Sequence, residues 1–138
     1  MMAYRQNTAL AQYQSNGVAG AIGDASPHQL VHMLLVGALD RLAQAKGGVL
    51  RNDRAQKLHG VAKAVAIIEH LRLNLDREAG GEIARNLENL YDYMVRRLLK
   101  ANVDDDARII DEVSGLLRDI KSAWEAIPAA MRTPTRVS

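Results

Sequence analysis

Apolar side chains recur every three or four residues between positions 26 and 126, and the places where that rhythm stops divide the segment into four helices. The first opens at Ser26-Pro27-His28-Gln29, where a hydroxyl can cap the helix, proline takes the first helical position and the Gln29 amide can reach back to the cap. Leu30, Leu34, Ala38, Leu42 and Ala45 form its apolar line, Val31, Leu35 and Leu39 widen it, and Gly47-Gly48 is expected to end it. A second helix is expected over 53 to 78, with Leu58, Val61, Val65, Ile68, Leu71 and Leu75 at helical spacing and Gly80-Gly81 as its stop. The third, over 82 to 101, carries Ile83, Leu87, Leu90, Met94 and Leu98, flanked by Tyr91 and Val95. The fourth, over 105 to 126, presents Ile109, Val113, Leu116, Ile120 and Trp124 with Ile110 and Leu117 beside them, and Asp104, Asp105 and Asp106 suit the positive end of its dipole.

No stretch alternates with the period of two that a strand requires. The pattern therefore predicts an all-α fold, an antiparallel up-down four-helix bundle over 26 to 126, because short connections make consecutive helices antiparallel neighbours. Residues 1 to 25 read as an N-terminal arm in which Tyr4, Leu10, Tyr13, Val18 and Ile22 are scattered among glycines and polar residues, with room for a short extra helix over 8 to 15. Residues 127 to 138, with Pro128 and Pro134, read as a flexible tail.

Composition sharpens this picture at two points. With no Phe, no Cys and a single Trp, the core must be aliphatic, and neither a disulfide nor a thiolate metal site is available, so a reducing compartment is the simplest setting. The 138 residues fit one domain and their net charge is only +2, while no apolar run is long enough to span a bilayer. The opening residues contain no signal-peptide core, and the expectation is a cytoplasmic protein without stable membrane insertion.

Candidate chemistry is sparse. His28 and His32 lie one turn apart in a run that differs by one residue from the zinc-hydrolase pattern H-E-x-x-H, but Gln29 stands where the general base belongs and no third ligand is recognisable. His28 is expected in an exposed first turn. No Glu has a His three residues on, which excludes the di-iron carboxylate bundles. Arg96, Arg97 and Lys100 cluster on the third helix, but the aspartates at 104 to 106 cancel much of their field, so no nucleic-acid footprint emerges. The unexplained feature is the width of the apolar stripes. Ile67, Tyr91, Val95, Ile110 and Leu117 extend them beyond the side that an outer helix of a bundle needs. Either a thicker core and the arm cover this surface, or it forms a groove for a partner segment.

The order and separation of several motifs resemble the flagellar export chaperone family FliS. They comprise Tyr4 and Tyr13 followed by Asn16 and Val18, then Ser26-Pro27-x-x-Leu30 with Met33-Leu34 and Gly37-Ala38. Leu75-Asp76, Gly80-Gly81-Glu82-Ile83-Ala84, Leu87, Leu90-Tyr91, Tyr93-Met94, Leu98, Ala101-Asn102, Glu112-Val113, Leu116-Leu117 and Trp124 continue the match. The resemblance implies a non-enzymatic, cofactor-free bundle that binds the disordered C-terminal segment of flagellin 1:1, prevents premature polymerisation and helps delivery to a component of the flagellar export gate. It also implies an arm that can lie over the groove when no partner is bound. A client exchanged for another, such as an anti-sigma factor, a co-chaperone alongside, and a zinc hydrolase on His28 and His32 are the alternatives. From motif positions the partner-binding candidates are Tyr4, Tyr13, Asn16, Ser26, Pro27, Tyr91 and Asn102; stripe geometry adds Ile67, Leu71 and Val95. Ser26 and Asn102 each have a competing role as a helix cap.

Overall fold

The computed structural model describes residues 26 to 127. Tyr4, Tyr13 and Asn16, like the arm and nearly all of the tail, lie outside the described residues. Within them are four helices and no strand: α1 (Pro27–Leu50), α2 (Arg54–Leu73), α3 (Arg77–Asp104) and α4 (Ala107–Glu125).

The start of α1 follows from its sequence. The Ser26 hydroxyl accepts the Gln29 amide N–H at 3.1 Å, and Gln29 Oε1 accepts the Ser26 N–H at 2.9 Å, so two otherwise orphaned donors are satisfied reciprocally. Its end differs from expectation. Gly47-Gly48 does not stop the helix, which continues to Leu50 and is capped by Arg51, whose N–H donates to Gly47 O. Gly48 instead permits a close crossing with α2: a Cβ there would lie 2.4 Å from Lys57 N and 2.8 Å from Lys57 Cα. The chain turns at Asn52, φ 57°, and Asp53 caps α2 by accepting the Gln56 N–H.

The second correction concerns Gly80-Gly81. The second helix ends earlier, at Leu73, where the Asn74 side chain donates to the His70 carbonyl, and Asp76 starts α3 by accepting the Ala79 N–H. The glycine pair therefore lies inside α3, not between helices, and Gly81 (φ 52°, ψ −124°) breaks its first turns with a backbone geometry that favours glycine. At its other end α3 runs past Asn102 to Asp104 and is capped by Asp105 in the left-handed conformation, so Asn102 is not the helix cap. Asp106 then caps α4 by accepting the Arg108 N–H.

Each helix packs against its chain neighbours, and α1 also packs against α4, which closes the ring; α1 with α2 is the most extensive pair. The antiparallel sense is fixed by contacts at both ends. His28 meets Trp124 while Lys46 meets Asp111 on α1 and α4, and Arg72 meets Glu88 while Lys57 meets Asn102 on α2 and α3. The centre is aliphatic: Leu35, Leu42, Ile68, Met94, Leu98, Ile110, Val113 and Leu117 belong to one buried cluster, each 1% exposed or less. Burying each such side chain contributes roughly 1.5–3 kcal/mol relative to leaving it in water.

Two positions expected in the core are exposed, Leu58 and Ile83. For Leu58 the cause is Gly60, where a Cβ would sit 2.7 Å from both Ala45 N and Arg41 O. That close approach rotates α2 so that Lys57, Gly60, Val61, Ala64, Ile68 and Leu71 point inward. Ile83 follows the break at Gly81, which resets the helical register ahead of the stripe.

Candidate partner-binding surface

Contacts between α2 and α3 identify which flanks face one another. Arg72 Nη1 lies 3.5 Å from Glu88 Oε2, and Lys57 Nζ donates to the Asn102 carbonyl at 2.9 Å. Seven-residue steps back from Arg72 reach Val65 and Leu58, and the same steps forward from Glu88 reach Val95 and Asn102, with Leu99 and Val103 on the adjoining positions. Leu58, Leu99 and Val103 are 53%, 53% and 78% exposed, while Val65 and Val95 are half-buried against the core. An apolar band thus runs along the α2/α3 seam, widest where α2 begins and α3 ends.

Asn102 sits within this band. Its backbone carbonyl is held by Lys57, whose Nζ also pairs with Asp105, and its Oδ1 is closed off from solvent without a hydrogen-bond partner. The Asp105 carboxyl is kept below its ordinary range by the Lys57 hydrogen bond. At the far end of the seam, Arg77 grips Glu88 with a fork, Nε to Oε1 at 3.0 Å and Nη2 to Oε2 at 2.8 Å, which holds the Glu88 carboxyl low.

The other candidates are dispersed. Ser26 and Pro27 begin α1, at the end of the bundle away from Leu58 and Val103, and the Ser26 hydroxyl is engaged as a cap. Ile67 turns toward α1, its Cδ1 3.5 Å from where a Gly37 Cβ would be, and so lies on the α1/α2 seam. Leu71 and Tyr91 are each 3% exposed and form part of the core; burial pushes the Tyr91 phenol up to about 12. Val95 and Asn102 alone of the described candidates fall in the band. Leu58, Leu99 and Val103 stand outside the candidates read from the sequence, although apolar residues at 99 and 103, off the core line of α3, are a signal the sequence carries.

Polar clusters elsewhere join helices. Tyr93 and Arg97 of α3 both donate to Glu112 of α4, and those hydrogen bonds lower the Glu112 carboxyl while the Tyr93 phenol is raised. His28 is half-buried rather than exposed in the first turn. Its Nε2 donates to the Trp124 carbonyl at 2.8 Å, its ring stacks on the indole at 4.8 Å, and Trp124 Nε1 returns a hydrogen bond to the His28 carbonyl at 2.9 Å. His32 Nε2 lies 2.8 Å from Glu125 Oε2. Both imidazoles thereby fasten α1 to the end of α4.

Polar side chains engaged in caps and inter-helix ties, beside an exposed apolar seam, define the class: an antiparallel four-helix bundle. Sequence comparison gives the family. Residues 7–131 match the model of the flagellar protein FliS. The chain is 45% identical over 119 residues to the flagellar secretion chaperone FliSB of Pseudomonas aeruginosa, covering 86% of this chain and 94% of that one. It is 47% identical over 116 residues to the flagellar secretion chaperone FliS of Salmonella typhimurium, covering 83% and 86% of the two chains. The corresponding protein of Campylobacter jejuni is 32% identical over 123 residues, 89% of this chain and 93% of its own. The chain belongs to the FliS family, a family of flagellar export chaperones and not of enzymes. Among the described residues no helix is long and apolar enough to cross a membrane.

Proposed function

We propose that this protein is a cytoplasmic chaperone that binds the disordered C-terminal segment of flagellin 1:1, blocks its premature polymerisation and aids its delivery to the export gate. The observation that carries the reading is the exposed Leu58, Leu99 and Val103 band in a member of a secretion-chaperone family. Ordering a disordered client costs about 2–5 kcal/mol or more, and such complexes bury on the order of 1,000–3,000 Å² to offset it. A continuous helical seam supplies area of that kind without any covalent step. Val95 and Asn102 belong to the contact surface in this reading, with Leu71 and Tyr91 as the packed layer beneath it. Tyr4, Tyr13 and Asn16 join from the arm, Ser26 and Pro27 set where the arm departs, and Ile67 extends the surface toward α1. Mixing purified protein with the flagellin C-terminal segment tests this by calorimetry. A 1:1 complex is expected at micromolar concentration, and no heat and no co-elution at that concentration would refute it.

A further inference from the structure

Lys57 and Arg41 are the buried cations among the described residues, 5% and 8% exposed, and they differ in what compensates them. Lys57 is satisfied by the Asp105 carboxylate and the Asn102 carbonyl. Arg41 has a single hydrogen bond, from Nη1 to Gln44 Oε1 at 3.0 Å, and no carboxylate within ion-pair distance. Its exposed chain neighbour Asp40 does not pair with it, and Lys63, one turn beyond Gly60 on α2, adds positive charge to the same helix pair. A buried charge left with one neutral partner departs from the rule that such charges are paired.

The unused donors have a defined shape. Gln44 takes one N–H of Nη1, and the edge formed by Nε and Nη2 is unused; its N–H bonds run parallel and match the two oxygens of one carboxylate. Neither atom is sealed from solvent, because Asn102 Oδ1 is the only enclosed side-chain polar atom without a partner among the described residues. Arg77 already uses the same Nε/Nη2 fork on Glu88 in this protein. The position is rigid: the Arg41 carbonyl abuts Gly60, and the Gln44 carbonyl accepts from Gln56 Nε2 at 3.2 Å.

We infer that Arg41, steadied by Gln44, is a carboxylate-binding site on the α1/α2 seam, and that its occupant is an acidic side chain of the bound client. The client as source of the carboxylate rests on the chaperone reading above; the site itself does not. The Nε resonance of Arg41 in the full chain, titrated with sodium acetate against sodium chloride at matched ionic strength, tests the site. A saturable shift with acetate, weakened in Gln44→Ala, is expected; a response equal to that with chloride overturns the site, and tighter binding of inorganic phosphate overturns the choice of carboxylate. Arg41→Met, which keeps the apolar stem, is expected to fold with an unchanged or higher melting temperature. It is also expected to bind the flagellin segment about tenfold more weakly, since a charge-assisted fork is lost. Equal affinity of the two proteins for the segment overturns the client assignment. A segment that binds neither protein refutes the chaperone reading, and the acetate titration then decides the site alone.

Discussion

Glycine at 48 and glycine at 115 are chemically identical and do opposite things. A methyl group at 48 would meet the backbone of Lys57 at 2.4 Å, whereas one at 115, on α4, meets nothing within 4 Å. Gly48→Ala must push α2 away and is expected to destabilise by roughly 1–3 kcal/mol, the usual range for overpacking. Gly115→Ala is expected to stabilise by about 0.5–1 kcal/mol, because alanine restricts the unfolded chain and favours the helix. Urea unfolding of the two variants checks both signs; a stabilised Gly48→Ala would contradict the crossing geometry. The His28 and Trp124 clasp is a second residue-scale device. His28→Ala removes a hydrogen bond and a stacked ring, and should lower stability by about 1–2 kcal/mol while the helical circular dichroism is retained.

Among elements, carboxylates make ties within helices (Arg77 to Glu88, Arg108 to Asp106, Lys121 to Glu125) and between them (Lys57 to Asp105, Tyr93 to Glu112), and this sets the response to acid. Glu88, Asp105, Asp106, Glu112 and Glu125 all have carboxyl groups lowered from their ordinary values, chiefly by hydrogen bonds from Arg77, Lys57, Arg108, Tyr93 and Lys121 respectively. A carboxyl lowered in the folded state stabilises it above its unfolded value, and that stabilisation is lost as pH falls through the folded value. The urea midpoint is therefore expected to hold at neutral pH and decline as pH drops below the ordinary values of 4.5 for Glu and 3.8 for Asp. Glu112→Gln should remove part of the decline by taking the α3/α4 tie out of it. A midpoint that rises on acidification would contradict this assignment. These groups are largely solvated, so each tie contributes modestly and the aliphatic centre dominates the stability of the bundle.

For the whole molecule, the exposed seam and the packed centre make separable predictions. Leu99→Asp and Val103→Asp alter side chains that are more than half exposed, so thermal stability should stay within about 0.5 kcal/mol of the parent. Affinity for the flagellin segment should fall at least about tenfold, since a charge would be desolvated in the interface. Leu98→Ala, one position away but fully buried, should instead cost about 2–5 kcal/mol of stability. Calorimetry beside chemical denaturation distinguishes the two classes, and loss of stability without loss of affinity in the aspartate variants would remove the seam from the binding surface.

The amino-acid sequence by itself determined the four helices, the capping box at Ser26, the aliphatic core and, through the spacing of motifs such as Ser26-Pro27 and Ala101-Asn102, the family. These are legible because caps and apolar periodicity act within one or two turns of chain. Tertiary structure alone decided that Gly47-Gly48 continues a helix, that Leu58 faces out while Lys57 faces in, and that Leu71 and Tyr91 are core whereas Leu99 and Val103 are surface. Stripe width could not separate those cases, because helix rotation is set by the partner helix. In this bundle Gly48 and Gly60 let α1 and α2 approach until backbone meets backbone, and that single close contact determines which flank of α2 is left to line the seam.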